Sequence, residues 1–112
     1  MQRDRIAEIG IDRDGRLYVK PEKAAFPGIY REAMEVNWHP ERRVLYSPKP
    51  REWTHLDWFK QIHTSAWKQG CWLYTDRETT WKDIDENTEL KITRLCRLPY
   101  MGFITYILGR MV

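Results

Sequence analysis

The amino-acid sequence predicts an α+β fold: an antiparallel sheet formed by two β-hairpins and short later strands, with one main helix packed on one face. Two early segments alternate apolar and polar residues on either side of turn sequences, as the strands of half-buried hairpins do. One later segment places its apolar residues on a single helical face. With 112 residues, 42% apolar and 31% charged, the chain is expected to fold as a single domain spanning residues 1–112.

The first hairpin is predicted near the N-terminus. Ala7, Ile9 and Ile11 alternate with polar or small residues, so they are expected on the buried face of a strand. Residues 12–15 have the sequence Asp-Arg-Asp-Gly and predict a turn, because aspartate favours the entry of a turn and glycine accepts positive φ. Residues 17–19 are expected to form the returning strand.

A second hairpin is predicted by a similar pattern. Met34, Val36 and Trp38 alternate with polar residues, and residues 39–42 place proline at the second position of a type I turn. Residues 44–46 then return as a strand.

The main helix is predicted over residues 54–69. Thr54 begins it with Asp57 three residues later, an approximate capping box, and Gly70 follows its last turn. The residues of its apolar face are Leu56, Trp58, Phe59, Ile62, Ala66 and Trp67.

The last part of the chain contains shorter segments. Residues 71–74 and 81–84 are predicted as short strands. Residues 85–98 fit neither period cleanly, so helix and strand both remain open, and a helix capped by Asp85 is favoured. Residues 103–108 are rich in β-branched and aromatic residues and predict a strand or a docked segment.

The charge pattern excludes several classes of partner. Nineteen basic and sixteen acidic residues alternate in sign along most of the chain, which cancels the long-range field that attracts nucleic acid, so nucleic-acid binding is not expected. No stretch approaches the roughly 18 consecutive apolar residues of a membrane helix, so no membrane partner is expected. Because the N-terminus lacks the apolar core of a secretory signal, a cytoplasmic location is expected.

Catalysis is not the favoured interpretation, and no cofactor or metal is expected. His55 and His63 lie eight residues apart on the predicted helix, not at the four-residue spacing by which two histidines share a metal. His63 is expected to pack at the edge of the apolar face, and Cys71 and Cys96 to be reduced core thiols. A thiol–base pair of Cys71 and His63 is the catalytic alternative. Asp85 is expected to cap a helix and not to bind a metal.

Aromatic and cationic residues provide a candidate binding surface. Six tryptophans, six tyrosines and three phenylalanines are many for a core of this size, so some are expected at the surface, where tryptophan, tyrosine and arginine dominate binding energy. Residues 47–53, which we call the connector, carry two prolines that favour a stiff extended path. Such a segment could present its side chains to a partner. The alternative is that the connector is only a rigid link, with Trp53 packed on the start of the helix. The candidate surface comprises Lys49, Arg51, Trp53, Tyr46 and Trp72.

Three segments, residues 15–21, 30–36 and 45–53, carry a family resemblance. Together they are similar to small orphan proteins of bacterial mobile elements, including integron gene cassettes, and to immunity proteins of polymorphic toxin systems. The resemblance implies a bacterial, cytoplasmic accessory protein that works by binding another protein or by self-association. The alternatives are an immunity protein that neutralises a toxin and, from another class, a small-ligand binder or an enzyme.

The C-terminal segment, residues 99–112, predicts a homo-oligomer, most simply a twofold dimer. It is dense in apolar and aromatic residues, and Tyr100, Phe103 and Tyr106 are the candidate contact residues. An edge strand here would need a partner for its backbone groups as well as for its side chains, and a twofold contact provides both.

Light scattering tests the dimer directly. We expect a mass near twice 13.6 kDa at micromolar concentration, and a mass near 13.6 kDa would contradict self-association. Removal of the residues after Pro99 should dissociate a dimer into folded monomers. If the segment packs within its own domain instead, the same truncation should unfold the protein.

Overall fold

A ten-residue strand, β1 (Gln2–Ile11), lies at the centre of the fold in the computed structural model, which describes residues 2–33, 35–49 and 51–97. Residues 99–112, with the predicted strand at 103–108, lie outside the described residues. The other elements are β2 (Leu17–Pro21), a 3-10 turn (Ile29–Arg31), β3 (Asn37–His39), β4 (Val44–Tyr46), α1 (His55–Lys68), β5 (Cys71–Tyr74), β6 (Thr80–Lys82) and α2 (Glu86–Arg97).

The sheet confirms the predicted α+β class and both hairpins. Its strands follow the order β3-β4-β2-β1-β5, and β6 also pairs with β1. The pairs β1–β2, β2–β4 and β3–β4 are antiparallel, whereas β5 and β6 run parallel to β1. The mostly antiparallel sheet is therefore mixed, because the chain passes through helix α1 before it returns to β1.

A bulge in β1 changes which residues face the core. The register between β1 and β2 shifts between Ile6 and Glu8. Ile6 and Ile9, three residues apart, are both fully buried, whereas Ala7 is only partly buried. The expectation that Ala7 shares the buried face of Ile9 is therefore wrong, since one extra residue reverses the alternation of a strand. Ile11 follows Ile9 by two residues beyond the bulge and is partly buried at the end of the strand.

The second edge of β1 is paired almost continuously. Residues 2–5 pair with β5 and residues 8–10 pair with β6. At the gap between the two strands, the hydroxyl of Thr79 donates to the carbonyl of Ile6 at 2.7 Å. Arg5 reinforces the same region, with its guanidinium 2.9 to 3.4 Å from the carboxylates of Glu22, Asp76 and Glu78.

Both helices begin as predicted. The Thr54 hydroxyl accepts from the Asp57 amide at 3.1 Å, and the Asp57 carboxylate accepts from the Thr54 amide at 3.0 Å, which completes the capping box of α1. Gly70 has φ +87° after the last turn of α1. Helix α2 settles the ambiguity of residues 85–98 up to Arg97, and the Asp85 carboxylate caps it by accepting from the Thr88 amide at 3.1 Å.

One apolar cluster joins the sheet to both helices. It contains Ile6 and Ile9 of β1, Phe59 and Ile62 of α1, and Ile92 of α2. Among the described residues, neither helix is long and apolar enough to cross a membrane.

Ser47 fixes the start of the connector on strand β2. It is fully buried, its hydroxyl accepts from the Leu17 amide at 3.0 Å, and the same hydroxyl donates to the Pro48 carbonyl at 2.8 Å. Its own amide donates to the Leu17 carbonyl at 2.9 Å. The connector therefore leaves the sheet in a direction set by buried hydrogen bonds.

We predict that Ser47→Ala lowers the free energy of unfolding by about 1–3 kcal/mol, because it leaves buried backbone groups unpaired. Ser65→Ala is the matched control. Ser65 is also buried, but its hydroxyl bonds only the Gln61 carbonyl one turn earlier, which keeps its helical partner, so we expect a loss below about 0.5 kcal/mol. Urea unfolding, followed by tryptophan fluorescence, measures the free energy of unfolding of both variants. Equal losses of stability in the two variants would contradict the role of Ser47 in fixing the start of the connector.

Candidate binding site

A pocket of about 440 Å³ opens between the connector and the first turns of helix α1. This volume lies within the range of small-ligand sites. Its lining residues are Glu35, Pro48, Lys49, Arg51, Glu52, Trp53, Trp58 and Gln61. Three of the five residues of the candidate surface, Lys49, Arg51 and Trp53, are therefore brought together at one pocket.

Two tryptophans form the aromatic wall of the pocket. Their ring centroids lie 4.7 Å apart, with the ring planes tilted by 46°. Trp58 is only 7% exposed, whereas Trp53 is 46% exposed. Trp53 therefore packs on the start of the helix, as the alternative interpretation of the connector expects, and still presents about half of its surface to solvent.

Four charged side chains surround these rings: Glu35, Lys49, Arg51 and Glu52. The ion pairs found among residues 2–33, 35–49 and 51–97 involve Arg5 and Lys82 instead. Five other arginines lie over aromatic rings. Those pairs are Arg3 with Tyr74, Arg16 with Tyr46, Arg31 with Tyr30, Arg42 with Tyr18 and Arg43 with Trp38. Arg51 has no such ring contact within the described structure. The charges around the pocket thus remain available to a ligand.

The indole nitrogen of Trp58 is a buried donor without an acceptor. It has almost no solvent-accessible surface, and no described residue accepts its hydrogen bond. A buried unpaired donor costs about 1–3 kcal/mol relative to a paired one. An acceptor supplied by a bound molecule would recover that free energy.

The other residues of the candidate surface do not line this pocket. Trp72 is 3% exposed and packs between the rings of His63 and Trp67, with centroid distances of 4.3 and 5.0 Å. It therefore belongs to the buried part of the domain. Tyr46 pairs with Tyr18 on the sheet. The candidate oligomer contacts, Tyr100, Phe103 and Tyr106, lie outside the described residues.

Sequence patterns did not indicate three of the lining residues. The apolar pattern predicts Trp58 on the core face of the helix, and Gln61 lies three residues later, on the same side of α1. Glu35, two residues before strand β3, has φ +68°, a left-handed conformation that alternation of apolar residues does not reveal. The i, i+3 spacing of Trp58 and Gln61 is the signal that could have placed both at one edge of the helix.

The residues considered for acid–base or nucleophilic chemistry are buried. Burial lowers the pKa of His63 to about 4, and its Nε2 lies 2.8 Å from the Leu73 carbonyl, to which it donates. Burial raises the pKa of Cys71 to about 11 and that of Cys96 to about 12, and both thiols are free, as predicted. Within the described part of the chain, no three His, Cys, Asp or Glu side chains are grouped as metal ligands.

Comparison with known proteins gives one family. The family model described as Integron Cassette Protein Hfx_Cass5 matches residues 4–75, a range that includes every lining residue of the pocket. A solved structure described as an integron cassette protein, Hfx_Cass5, from the mobile metagenome of the North West Arm Sewage Outfall is 40% identical. The alignment covers 86% of this chain and 97% of that chain, with a TM-score of 0.44. No curated protein matches the chain.

The buried His63 predicts a specific loss of stability in acid. The unfolded chain takes up a proton below the ordinary histidine pKa of about 6.5, whereas the folded protein does so only near pH 4. The stabilisation is therefore complete above about pH 6.5 and is lost as the pH falls towards 4.

Between about pH 7.5 and about pH 5.0, we expect the unmodified protein to lose about 2 kcal/mol more than His63→Gln, measured by urea unfolding at both pH values. Glutamine retains a donor for the Leu73 carbonyl but does not titrate. Equal losses in the two proteins would contradict the buried neutral state of His63.

Proposed function

The chain belongs to the Hfx_Cass5 family of integron cassette proteins, and we propose that it acts by binding a partner in the pocket beside the connector and not by catalysis. The observation that carries the proposal is the combination, at one pocket, of a half-exposed tryptophan, four charged side chains and the buried indole donor of Trp58. Within residues 2–33, 35–49 and 51–97, these charged groups form no ion pair and the indole donor has no acceptor. Tryptophan and arginine are the residue types that contribute most to binding at interfaces.

The connector is held in place before any partner arrives. Buried hydrogen bonds of Ser47 fix its first residue, and the capping box of Thr54 fixes the residue that follows it. Trp53 packs against Trp58 of α1 at 4.7 Å. A surface ordered in this way loses little conformational entropy on binding, which favours affinity.

The chemistry of the pocket supports binding more than catalysis. Its described lining contains no histidine, cysteine or hydroxyl side chain. The imidazole and thiol that form the catalytic alternative, His63 and Cys71, are instead buried in the domain and neutral near pH 7. Neutralisation of a toxin would use the same pocket. The net charge of +3 argues against inhibitors that mimic the phosphate backbone.

Self-association is the second candidate function, and one exposed residue favours it. Leu90 of α2 is 50% exposed, whereas Ile92 and Cys96 of the same helix are buried. Helix α2 leads along the chain towards the apolar residues 99–112. A second copy that covers Leu90 would remove this side chain from water.

A fragment library of organic acids, bases, zwitterions and neutral aromatic compounds tests the pocket without knowledge of the natural partner. We expect compounds that bind to shift the indole N–H signals of Trp53 and Trp58 in two-dimensional ¹H–¹⁵N spectra. The Trp53→Ala substitution should raise the dissociation constants of these compounds at least about tenfold. Tyr30→Ala is the matched control, because Tyr30 is 59% exposed and does not line the pocket. Binders that shift signals elsewhere, or an equal effect of both variants, would overturn the proposal.

A further inference from the structure

We infer that the occupant of the pocket is an extended peptide segment of a partner protein, with side chains of both charge signs flanking one apolar or aromatic side chain. The inference rests on the proposed function of the pocket and specifies the chemistry of its ligand. Four observations support it: the mixed charges, the unpaired indole donor, the exposed ring of Trp53 and the neighbouring sheet edge.

The charges of the pocket favour a ligand of mixed sign. Lys49 and Arg51 attract carboxylates, whereas Glu35 and Glu52 attract ammonium or guanidinium groups. A polyanion such as a nucleic acid would meet two carboxylates, and a polycation would meet two cations. A peptide with an acidic and a basic side chain pairs with both sets.

The polar groups of the pocket match a peptide backbone. The buried indole N–H of Trp58 needs an acceptor, and an extended peptide supplies one carbonyl at every residue. Gln61, three residues later on α1, carries both a donor and an acceptor in its side-chain amide. The Gln61 amide can bind a peptide group directly, and the Trp58 indole N–H can bind a peptide carbonyl where binding opens access to it.

Trp53 provides the contact for the apolar side chain of the peptide. Its ring is half exposed and packs at a tilt of 46° on the buried ring of Trp58, so Trp53 presents an apolar surface that is held in place from behind. An aromatic or aliphatic side chain placed there buries apolar area on a rigid platform. A small charged molecule would leave this surface in water.

The position of Glu35 connects the pocket to the edge of the sheet. Glu35 lines the pocket and lies two residues before Asn37, the first residue of β3. In the sheet of the described residues β3 is the outermost strand next to β4. A peptide that leaves the pocket past Glu35 thus meets a strand edge to which an extended segment can add by backbone hydrogen bonds.

Selection from a random dodecapeptide library displayed on phage tests the inference. The full-length protein is the bait, and Trp53→Ala is the counter-selection bait. We expect enriched sequences to carry an acidic and a basic residue around one apolar or aromatic residue. Synthetic copies should bind at least about tenfold more weakly to Trp53→Ala and to Lys49→Gln/Glu52→Gln, but with unchanged affinity to Tyr30→Ala.

Several results would overturn the inference. Enrichment of peptides of a single charge sign, or the same peptides from both baits, would exclude the proposed recognition. If fragments shift the indole signals but no peptide is enriched, the peptide inference fails while the proposed function stands. If neither fragments nor peptides bind, both fail. If Trp53→Ala converts a dimer into a monomer in light scattering, a second copy occupies the pocket and the inference is wrong.

Discussion

Strand β1 forms backbone hydrogen bonds along both of its edges, and the positions of the other elements depend on them. One edge pairs with β2, through which β4 and β3 join the sheet, and the other pairs with β5 and then β6. Thr79 supplies a hydrogen bond to Ile6 in the gap between β5 and β6, and Arg5 joins three carboxylates from two loops. A strand of ten residues thus binds chain segments that lie up to 73 residues from it in sequence.

This framework determines where the connector can lie. Strand β4 is held on β2, Ser47 extends that attachment by one residue, and α1 packs its buried face on the same sheet. The connector must therefore cross from the sheet to the helix over a short, fixed distance. Its charged side chains have no room in the core and remain around the pocket, while Trp53 is held against the helix by Trp58.

Local sequence signals predicted the elements well, and the resemblance to integron cassette proteins is confirmed by the family match. The turn at residues 12–15, the capping box of Thr54 and Asp57 and the cap at Asp85 each depend on neighbouring residues only, so the sequence reveals them. The bulge in β1 and the parallel pairing of β5 depend on partners distant in the chain, which alternation does not encode. The connector is one continuous segment, so the sequence could reveal it as a candidate surface. Glu35, Trp58 and Gln61 join the pocket only through folding, so the sequence could not assign them to the site.

The central claim is that the framework around β1 holds the connector in its binding conformation before a ligand is present. Backbone ¹⁵N relaxation of the free protein tests it at the amides of Lys49, Arg51, Glu52 and Trp53. An ordered connector predicts order parameters of about 0.85, equal to those of helix α1. Order parameters below about 0.6 at these amides, with rigid values in α1, would contradict it.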